Sequence, residues 1–432
     1  MDYPIGGATF DGAPSMTTAD RKRVIIIGAG IVGVAAAVWL QRDGHDVVLI
    51  DKDGPATGAS AGNGGVLASC SVVPVTVPSL MTKAPGMLLR PDSPLFMRWS
   101  YLPKLLPWLA RYLSHCRPFE TKRIAKALAP IISDSIDQHL ALAKGTPAER
   151  YVKPSDYLFI YPSRASFEGD RFGWDLRAEN GFTWDLLDKE AFRAYDPAFG
   201  PGADFAVKLG NHGHITDPEK YVQALAGHVV AEGGQLVTTQ VTGIRQEAGS
   251  VVGVETSNGP INGDAVVLAA GVWSRDLAAT TGLKVPLESE RGYHIDLINP
   301  NIMPRSPVMV AAAKFVATPM EGRLRCAGIV EFGGITAPPS NKPFALLKKR
   351  IHEALPGLTY DSIEEWMGHR PAPTDSIPVI GKMPGPDGCF AGFGHHHIGM
   401  TGGPKTGRLL ADMIAGRRAN IDLEPYRPAR FA

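Results

Sequence analysis

Cysteine is scarce in this chain. Its 432 residues include four, Cys70, Cys116, Cys326 and Cys389, far apart and without CxxC spacing. That excludes a disulfide framework and a cysteine-built zinc or iron–sulfur site, and it fits small buried thiols in a reduced, cytoplasmic setting. An excess of one charge is also missing. With 44 Lys and Arg against 43 Asp and Glu, the formal charge is +1, so no concentrated basic surface invites nucleic acid as a partner. No apolar run reaches the roughly 18 residues of a membrane span. Residues 1–21, rich in Gly, Ala, Thr and Asp, have no apolar centre or basic leader; they are expected to be a disordered extension rather than a secretory signal. What is present is 44% hydrophobic residues, enough for a large core shared by two or three domains.

The most informative stretch is RVIIIGAGIVGVAAAVWLQRDGHDVVLID, residues 23–51. It reads as an apolar strand, the turn Gly28-x-Gly30-x-x-Gly33, an alanine-rich helix closing at Gly44, and a second strand ending on Asp51. Gly28 permits a tight turn, Gly30 lets backbone approach a pyrophosphate, and Gly33 allows close helix-to-strand packing. The helix N-terminus offers free N–H groups and its dipole, and an acid about 20 residues beyond the glycines can accept ribose hydroxyls. These parts in this order predict a dinucleotide cradle, without saying which dinucleotide.

A glycine-rich loop, GASAGNGG at 58–65, follows. Between Leu80 and Lys126, Trp99, Tyr101, Trp108 and Tyr112 are interleaved with nine Lys and Arg and two acids, Asp92 and Glu120. Two readings stand there: an amphipathic helical pair packed on the body with its basic face solvated, or a surface that lies on an anionic membrane. Tyr157–Tyr161 reads as strand, and a helix over Pro218–Glu232 opens on Asp217 as N-cap with Pro218 at its first position. Short strands are expected at Gln235–Thr239 and Val251–Ser257. The run Ala265–Ala270 reads as a buried parallel strand followed by a helix over Ser274–Thr281. A hairpin pairs Lys314–Pro319 with Leu324–Phe332, and Gly402, Gly403 and Pro404 are expected to open a helix running to Ala415. Nucleotide-like segments at the beginning, middle and end, with β-rich segments between, imply two interleaved domains.

Several motifs in this order resemble the D-amino acid oxidase superfamily of FAD-dependent amine oxidoreductases: the cradle, the 58–65 loop, VVLAAGVWS at 266–274, RGYH at 291–294, WMGHRPAPTDSIPVIG at 366–381 and FGHHHIGMTGGPKTG at 393–407. The chain is similar to bacterial D-amino acid dehydrogenases within it, and more so to the glyphosate oxidoreductase type, through SVVPVTVPSL, ERGYHI, KFVATPME and CAGIVEFGG. The resemblance implies an α/β protein in which a Rossmann-like FAD-binding domain (22–155, 211–284 and 366–432) is interleaved with a smaller α+β substrate domain (156–210 and 285–365) built on a mainly antiparallel sheet. It selects FAD over NAD, a choice that the cradle alone leaves open. Ser60, Asn63, Gly64 and Gly65 are expected at the pyrophosphate and flavin ring, with the ADP half beside Asp51, Lys52 and Val241. Ile31, Val32, Ala270, Gly271, Gly394, Gly399, Met400 and Thr401 complete the implied cofactor set. Covalent-flavin relatives place a cysteine just before the RPAPTD-like stretch; Gly368 and His369 stand there, so the FAD is expected to be non-covalent.

Arg370 is the candidate for a substrate carboxylate, because a guanidinium fork holds one with two parallel bonds; the resemblance supports the same role. Arg291 and Tyr293, two apart on a strand, are expected to share the flavin-facing side, although Arg291 could instead pair with Glu288 or Glu290. His395, His396 and His397 do not read as a metal site, since consecutive side chains diverge and nothing completes a tetrahedral set; His395 is carried as a candidate substrate contact. The implied reaction is oxidation of a D-amino acid or N-substituted glycine next to nitrogen, by hydride transfer to flavin and hydrolysis of the imine. The alternatives are a glyphosate-type secondary-amine oxidase and an FAD-binding assembly protein without catalysis. Oxygen, quinone and other carriers remain open as acceptors, as does a peripheral place on the inner face of the cytoplasmic membrane.

Overall fold

The computed structural model describes residues 21–89, 93–200 and 202–432, so the expected N-terminal extension lies, but for Arg21, outside the described residues. The cradle strand Arg23–Ile27 sits inside a six-stranded sheet in the order Val379–Lys382, Cys389–Phe393, Ala265–Leu268, Arg23–Ile27, Asp46–Asp51, Gln235–Thr238. Its neighbours on both sides run parallel to it. Parallel central strands are covered on both faces, which is why they read as unbroken apolar runs. Val24 and Ile26 pack with the helices Ile31–Arg42, Pro218–Ala231 and Gly399–Ile414, while Ile25 and Ile27 pack on the other face with Val241, Val251 and Val254 of a three-stranded antiparallel sheet. Chain order reverses on either side of Arg23–Ile27, and such a switch point opens a crevice at the strands' carboxyl ends.

The second large sheet has ten strands and is mainly antiparallel. At one edge the long strand Leu287–Ile298 pairs with Ser362–Pro373 and with Arg323–Phe332. Helix Asn341–Ala354 covers one face there through Phe344, Leu347 and Ile351, packed with Tyr293, Ile295 and Leu297. The opposite face turns towards the cradle and its glycine loop. The hairpin forms as Phe315–Met320 and Arg323–Phe332, and Asp217 caps its helix by accepting from the Lys220 N–H at 3.1 Å.

The C-terminal helix departs from expectation. It begins at Gly399 rather than Pro404, which lies inside it. An interior proline cannot donate to the carbonyl four residues back, and that carbonyl, Met400 O, accepts instead from His139 Nε2 at 2.8 Å. The replacement donor makes the early start tolerable. In the basic aromatic segment, helix Leu102–Ser114 packs on the body through Leu105, Trp108 and Tyr112, while Trp99, Leu106 and Phe119 stay exposed.

Candidate active site

One cavity of about 1710 Å³ runs from the cradle turn to Arg370. That exceeds the usual 300–1,000 Å³ of a small-molecule pocket, as an extended cofactor plus a substrate requires. At the cradle end Gly28 takes φ of 108°, and a Cβ on Gly33 would lie 1.9 Å from Gly28 O. Asp51 closes the turn from beneath, its Oδ2 accepting the Ala29 N–H at 2.8 Å, and Ser60 Oγ accepts from the first helical N–H, Ile31, at 3.0 Å. Gly28, Gly30, Ile31, Val32, Asp51, Lys52, Val241, Ala270 and Gly271 line this end. Gly33 does not; its place is the helix–strand contact.

The glycine loop is held from the ten-stranded sheet by its carbonyls. Arg325 NH1 donates to Ala61 O and to Asn63 O, both at 2.8 Å; His294 Nδ1 reaches Gly62 O at 3.0 Å; Thr318 Oγ1 reaches Gly64 O at 2.7 Å. Four successive acceptors are thus tied back, and the Ala61, Asn63 and Gly65 N–H groups donate within the loop to Gly58 O, Ser60 O and Asn63 Oδ1, so the Gly62 and Gly64 N–H groups are the loop donors these contacts leave for a cofactor's oxygens. Arg325 is itself clamped by Asp296 through two 2.8 Å bonds. Burial, with Arg325 beside it, lowers the His294 imidazole to about 3, so the ring is neutral with its proton on Nδ1. Ser60, Asn63 and Gly64 line the cavity; Gly65 does not, since its carbonyl accepts from the Ile215 N–H at 2.7 Å.

At the far end, the long strand presents Glu290, Gly292 and His294 to the cavity, turns Arg291 away, and leaves Tyr293 on the wall with its hydroxyl engaged by Glu331. This corrects the expected facing. Arg291 is fully buried, pairs with Glu331 rather than Glu288 or Glu290 at 2.9 Å, and does not line the cavity. Tyr293 touches the wall, yet its hydroxyl donates to Glu331 Oε2 at 2.6 Å, accepts from the Ser340 N–H at 3.1 Å, and its ring meets Phe344 edge-on. Glu288–Arg291 is polar at every position, and where alternation resumes, Tyr293, Ile295 and Leu297 mark the side packed under helix Asn341–Ala354 rather than the cavity side. Arg370 does reach the cavity, its guanidinium lying over Gly292, where a Cβ would come within 2.5 Å of Cζ. Trp366 stacks on His294 with ring centroids 5.0 Å apart and completes the wall.

The three histidines diverge, as consecutive residues must. His395 Nε2 bonds Thr406 Oγ1 at 2.9 Å; that hydroxyl donates to Gly402 O, so the imidazole supplies the other proton. Burial lowers His395 to about 4 and His397 to about 3. His396 stands at φ of 50°, and its Nε2 lies 2.7 Å from Glu290 Oε2. Gly394, Gly399, Met400 and Thr401 line the same cavity. Among the described residues no group of three or more His, Cys, Asp or Glu is placed to hold a metal. Sequence reasoning passed over Glu290, His294, Arg325 and Trp366 as site residues; the polar, paired strands that carry them were the available signal.

A βαβ cradle joined through one cavity to the face of an antiparallel sheet defines a dinucleotide-dependent oxidoreductase of two-sheet architecture. Residues 23–413 match the model of the DAO family, FAD dependent oxidoreductase, and the chain belongs to that family. It is 39% identical over 419 residues to a D-amino-acid oxidase of Bradyrhizobium diazoefficiens, covering 95% of this chain and 99% of the relative. A D-amino acid dehydrogenase of Rhizobium rhizogenes is 28% identical over 95% of this chain and 100% of its own. The fold matches glycine oxidase from Geobacillus kaustophilus with a TM-score of 0.73 at 21% identity, over 95% and 99% of the two chains. The protein is an FAD-dependent oxidoreductase, and the open cradle, the tied-back loop and the length of the cavity fit that cofactor.

Proposed function

We propose that the chain oxidises the carbon–nitrogen bond beside the carboxylate of a D-amino acid or an N-substituted glycine. The observation that carries the reading is Arg370, a quarter exposed on the wall of a cavity continuous with the cradle, where Arg291 was also expected and does not stand. Bound FAD supplies the hydride acceptor. Arg370 binds the substrate carboxylate through N–H groups that protein partners leave free. The walls formed by Trp366, Ile329 and Tyr112 exclude water and set the substrate's Cα–H direction. No protein base is required once the amine is neutral, and the neutral His395 and His397 add no cation that would oppose the developing iminium. That iminium takes up water to give an oxo acid and an amine.

The cavity joins two sheets whose strands alternate along the chain, which supports the division into an FAD-binding and a substrate domain. The exposed Trp99, Leu106 and Phe119 beside exposed Arg117, Lys122 and Arg123 support peripheral contact with an anionic membrane on the cytoplasmic side, where a quinone could take the electrons. Anaerobic bleaching of the flavin by a panel of D-amino acids, sarcosine, iminodiacetate and glyphosate tests the reaction. Arg370→Ala should raise half-saturation by about 100-fold or more, as loss of a buried charge partner does; bleaching at the same low substrate concentration refutes the carboxylate role. Bleaching by glyphosate alone selects the secondary-amine alternative, and none at all selects the non-catalytic one. Peroxide yield per substrate, with and without a quinone analogue, identifies the acceptor.

A further inference from the structure

The Arg370 guanidinium is tethered before any substrate arrives. Its NH1 donates to Glu290 Oε1 at 2.9 Å, and the second oxygen of that carboxylate accepts from His396 Nε2 at 2.7 Å. Glu290 is 3% exposed, so these two partners stand in for water on a buried anion. The three residues come from separate stretches: Glu290 from strand Leu287–Ile298, Arg370 from strand Ser362–Pro373, and His396 from the turn before helix Gly399–Ile414. Backbone contacts set the same spacing, because Glu290 and Arg370 are cross-strand neighbours and the His396 N–H donates to Pro371 O at 2.9 Å. Of the five guanidinium N–H groups, one serves Glu290 and one makes a long 3.4 Å contact to Gly328 O. The others have no protein partner among these contacts and belong to a side chain that lines the cavity.

We propose that Glu290 is a positioning residue of the substrate site, clamping Arg370 and His396 in one geometry so that the guanidinium meets a substrate carboxylate with its orientation already set. The inference rests on Arg370 as the carboxylate partner. A bare glutamate so near would repel a carboxylate, and this effect has the opposite sign. The clamp outweighs it because two donors within 2.9 Å already compensate the Glu290 charge, whereas an untethered arginine must be ordered anew at each binding event. Burial alone would push the Glu290 carboxyl up, but His396 and then Arg370 overcome that and hold it well below the ordinary range, so Glu290 is held as the carboxylate.

The test uses the FAD-loaded enzyme with Glu290→Gln and Glu290→Asp. For Glu290→Gln, half-saturation by the preferred amino acid should rise about tenfold while the limiting rate of anaerobic flavin bleaching changes by less than about threefold, the pattern of lost binding rather than lost chemistry. Propionate, a carboxylate without an amine, should lose affinity by the same factor when read from the perturbed flavin spectrum. Propylamine, an amine without a carboxylate, should not. Glu290→Asp, which keeps the charge on a shorter arm, should fall between. Unchanged or tighter propionate binding in Glu290→Gln overturns the clamp, as does an equal loss for propylamine. Should Glu290→Gln fail to retain FAD, His396→Gln removes only the second tether; it should weaken propionate by a few-fold, and unaltered binding overturns the proposal. A wild-type enzyme bleached by no amino acid or amine defeats the functional reading itself, a result distinct from any of these.

Discussion

Replacing Arg325 by methionine should loosen FAD through a residue placed to touch the loop rather than the cofactor. The arginine is 5% exposed, holds Ala61 O and Asn63 O at 2.8 Å, and is fixed by Asp296 through two bonds of the same length. Hydrogen bonds to a charged group contribute about 1.5–3 kcal/mol each. Methionine fills similar volume but strands two carbonyls and half-strips Asp296, which keeps Arg323 at 3.1 Å. Breaking a buried pair costs about 3–5 kcal/mol; with Arg323 still present the lower end applies, so folding stability should fall by about 3 kcal/mol. The cofactor feels the part of this that concerns loop order. If about 1.5–3 kcal/mol must be spent re-forming the loop on binding, the FAD dissociation constant rises about 10- to 100-fold. Titration of the apoprotein with FAD, followed by flavin fluorescence, measures that constant, and melting of the apo and loaded forms separates stability from affinity. Arg325→Lys, a point charge without a fork, should lie between. A folded Arg325→Met protein that binds FAD within twofold of wild type would falsify the claim that this arginine pre-forms the loop.

Acid should destabilise the fold early. Burial holds His139, His214 and His395 at about 4 and His294 and His397 at about 3, below the 6.5 of an exposed imidazole. Their folded values are depressed, so the unfolded chain binds more protons between those limits. The stability they supply is complete above about pH 6.5 and is lost as pH falls, by up to about 1.4 kcal/mol per pH unit for each ring. The melting temperature of the apoprotein should drop steeply from pH 6.5 to 5, and a flat profile would contradict the neutral assignments. Tyr293→Phe removes a hydroxyl directed at Glu331 and Ser340, so it should lower stability by about 1–2 kcal/mol and leave propionate affinity unaltered; weakened propionate binding would return Tyr293 to the substrate site. Flotation with anionic vesicles should recover the protein at low salt and lose it when Trp99, Leu106 and Phe119 are replaced by serine; equal recovery of the variant excludes this face as the contact.

The cradle was legible because its requirements are local. Gly28 at a tight turn, Gly33 against the Gly28 carbonyl, the Ala-rich helix and the terminal Asp51 lie within 29 consecutive residues, and steric rules for one βαβ unit do not depend on the rest of the chain. The caps at Asp217 and Pro218 and the hairpin around Gly322 were legible for the same reason. The C-terminal helix was misplaced because what frees it to begin at Gly399 is a donor 261 positions earlier, His139 on Met400 O. Strand parity failed similarly. Glu288, Ser289, Glu290 and Arg291 are all polar, so the apolar side that Tyr293, Ile295 and Leu297 mark further along cannot be followed through them. Which side each side chain takes is decided by partners on other strands, Glu331 for Arg291 and Arg370 for Glu290.

By itself the sequence determined the dinucleotide cradle, the presence of β-rich segments between the nucleotide-binding parts, and Arg370 as the candidate to be tested for a substrate carboxylate. Only the tertiary structure decided that Glu290 is shared between Arg370 and His396, that Arg291 and Tyr293 belong to a buried network under helix Asn341–Ala354, and that Arg325 and His294 hold the glycine loop from another sheet. The physical reason is range. Turn geometry and helix ends are set by neighbours a few residues away, whereas a buried charge is settled by whichever opposite charge the fold brings within about 4 Å, where a low dielectric makes pairing compulsory.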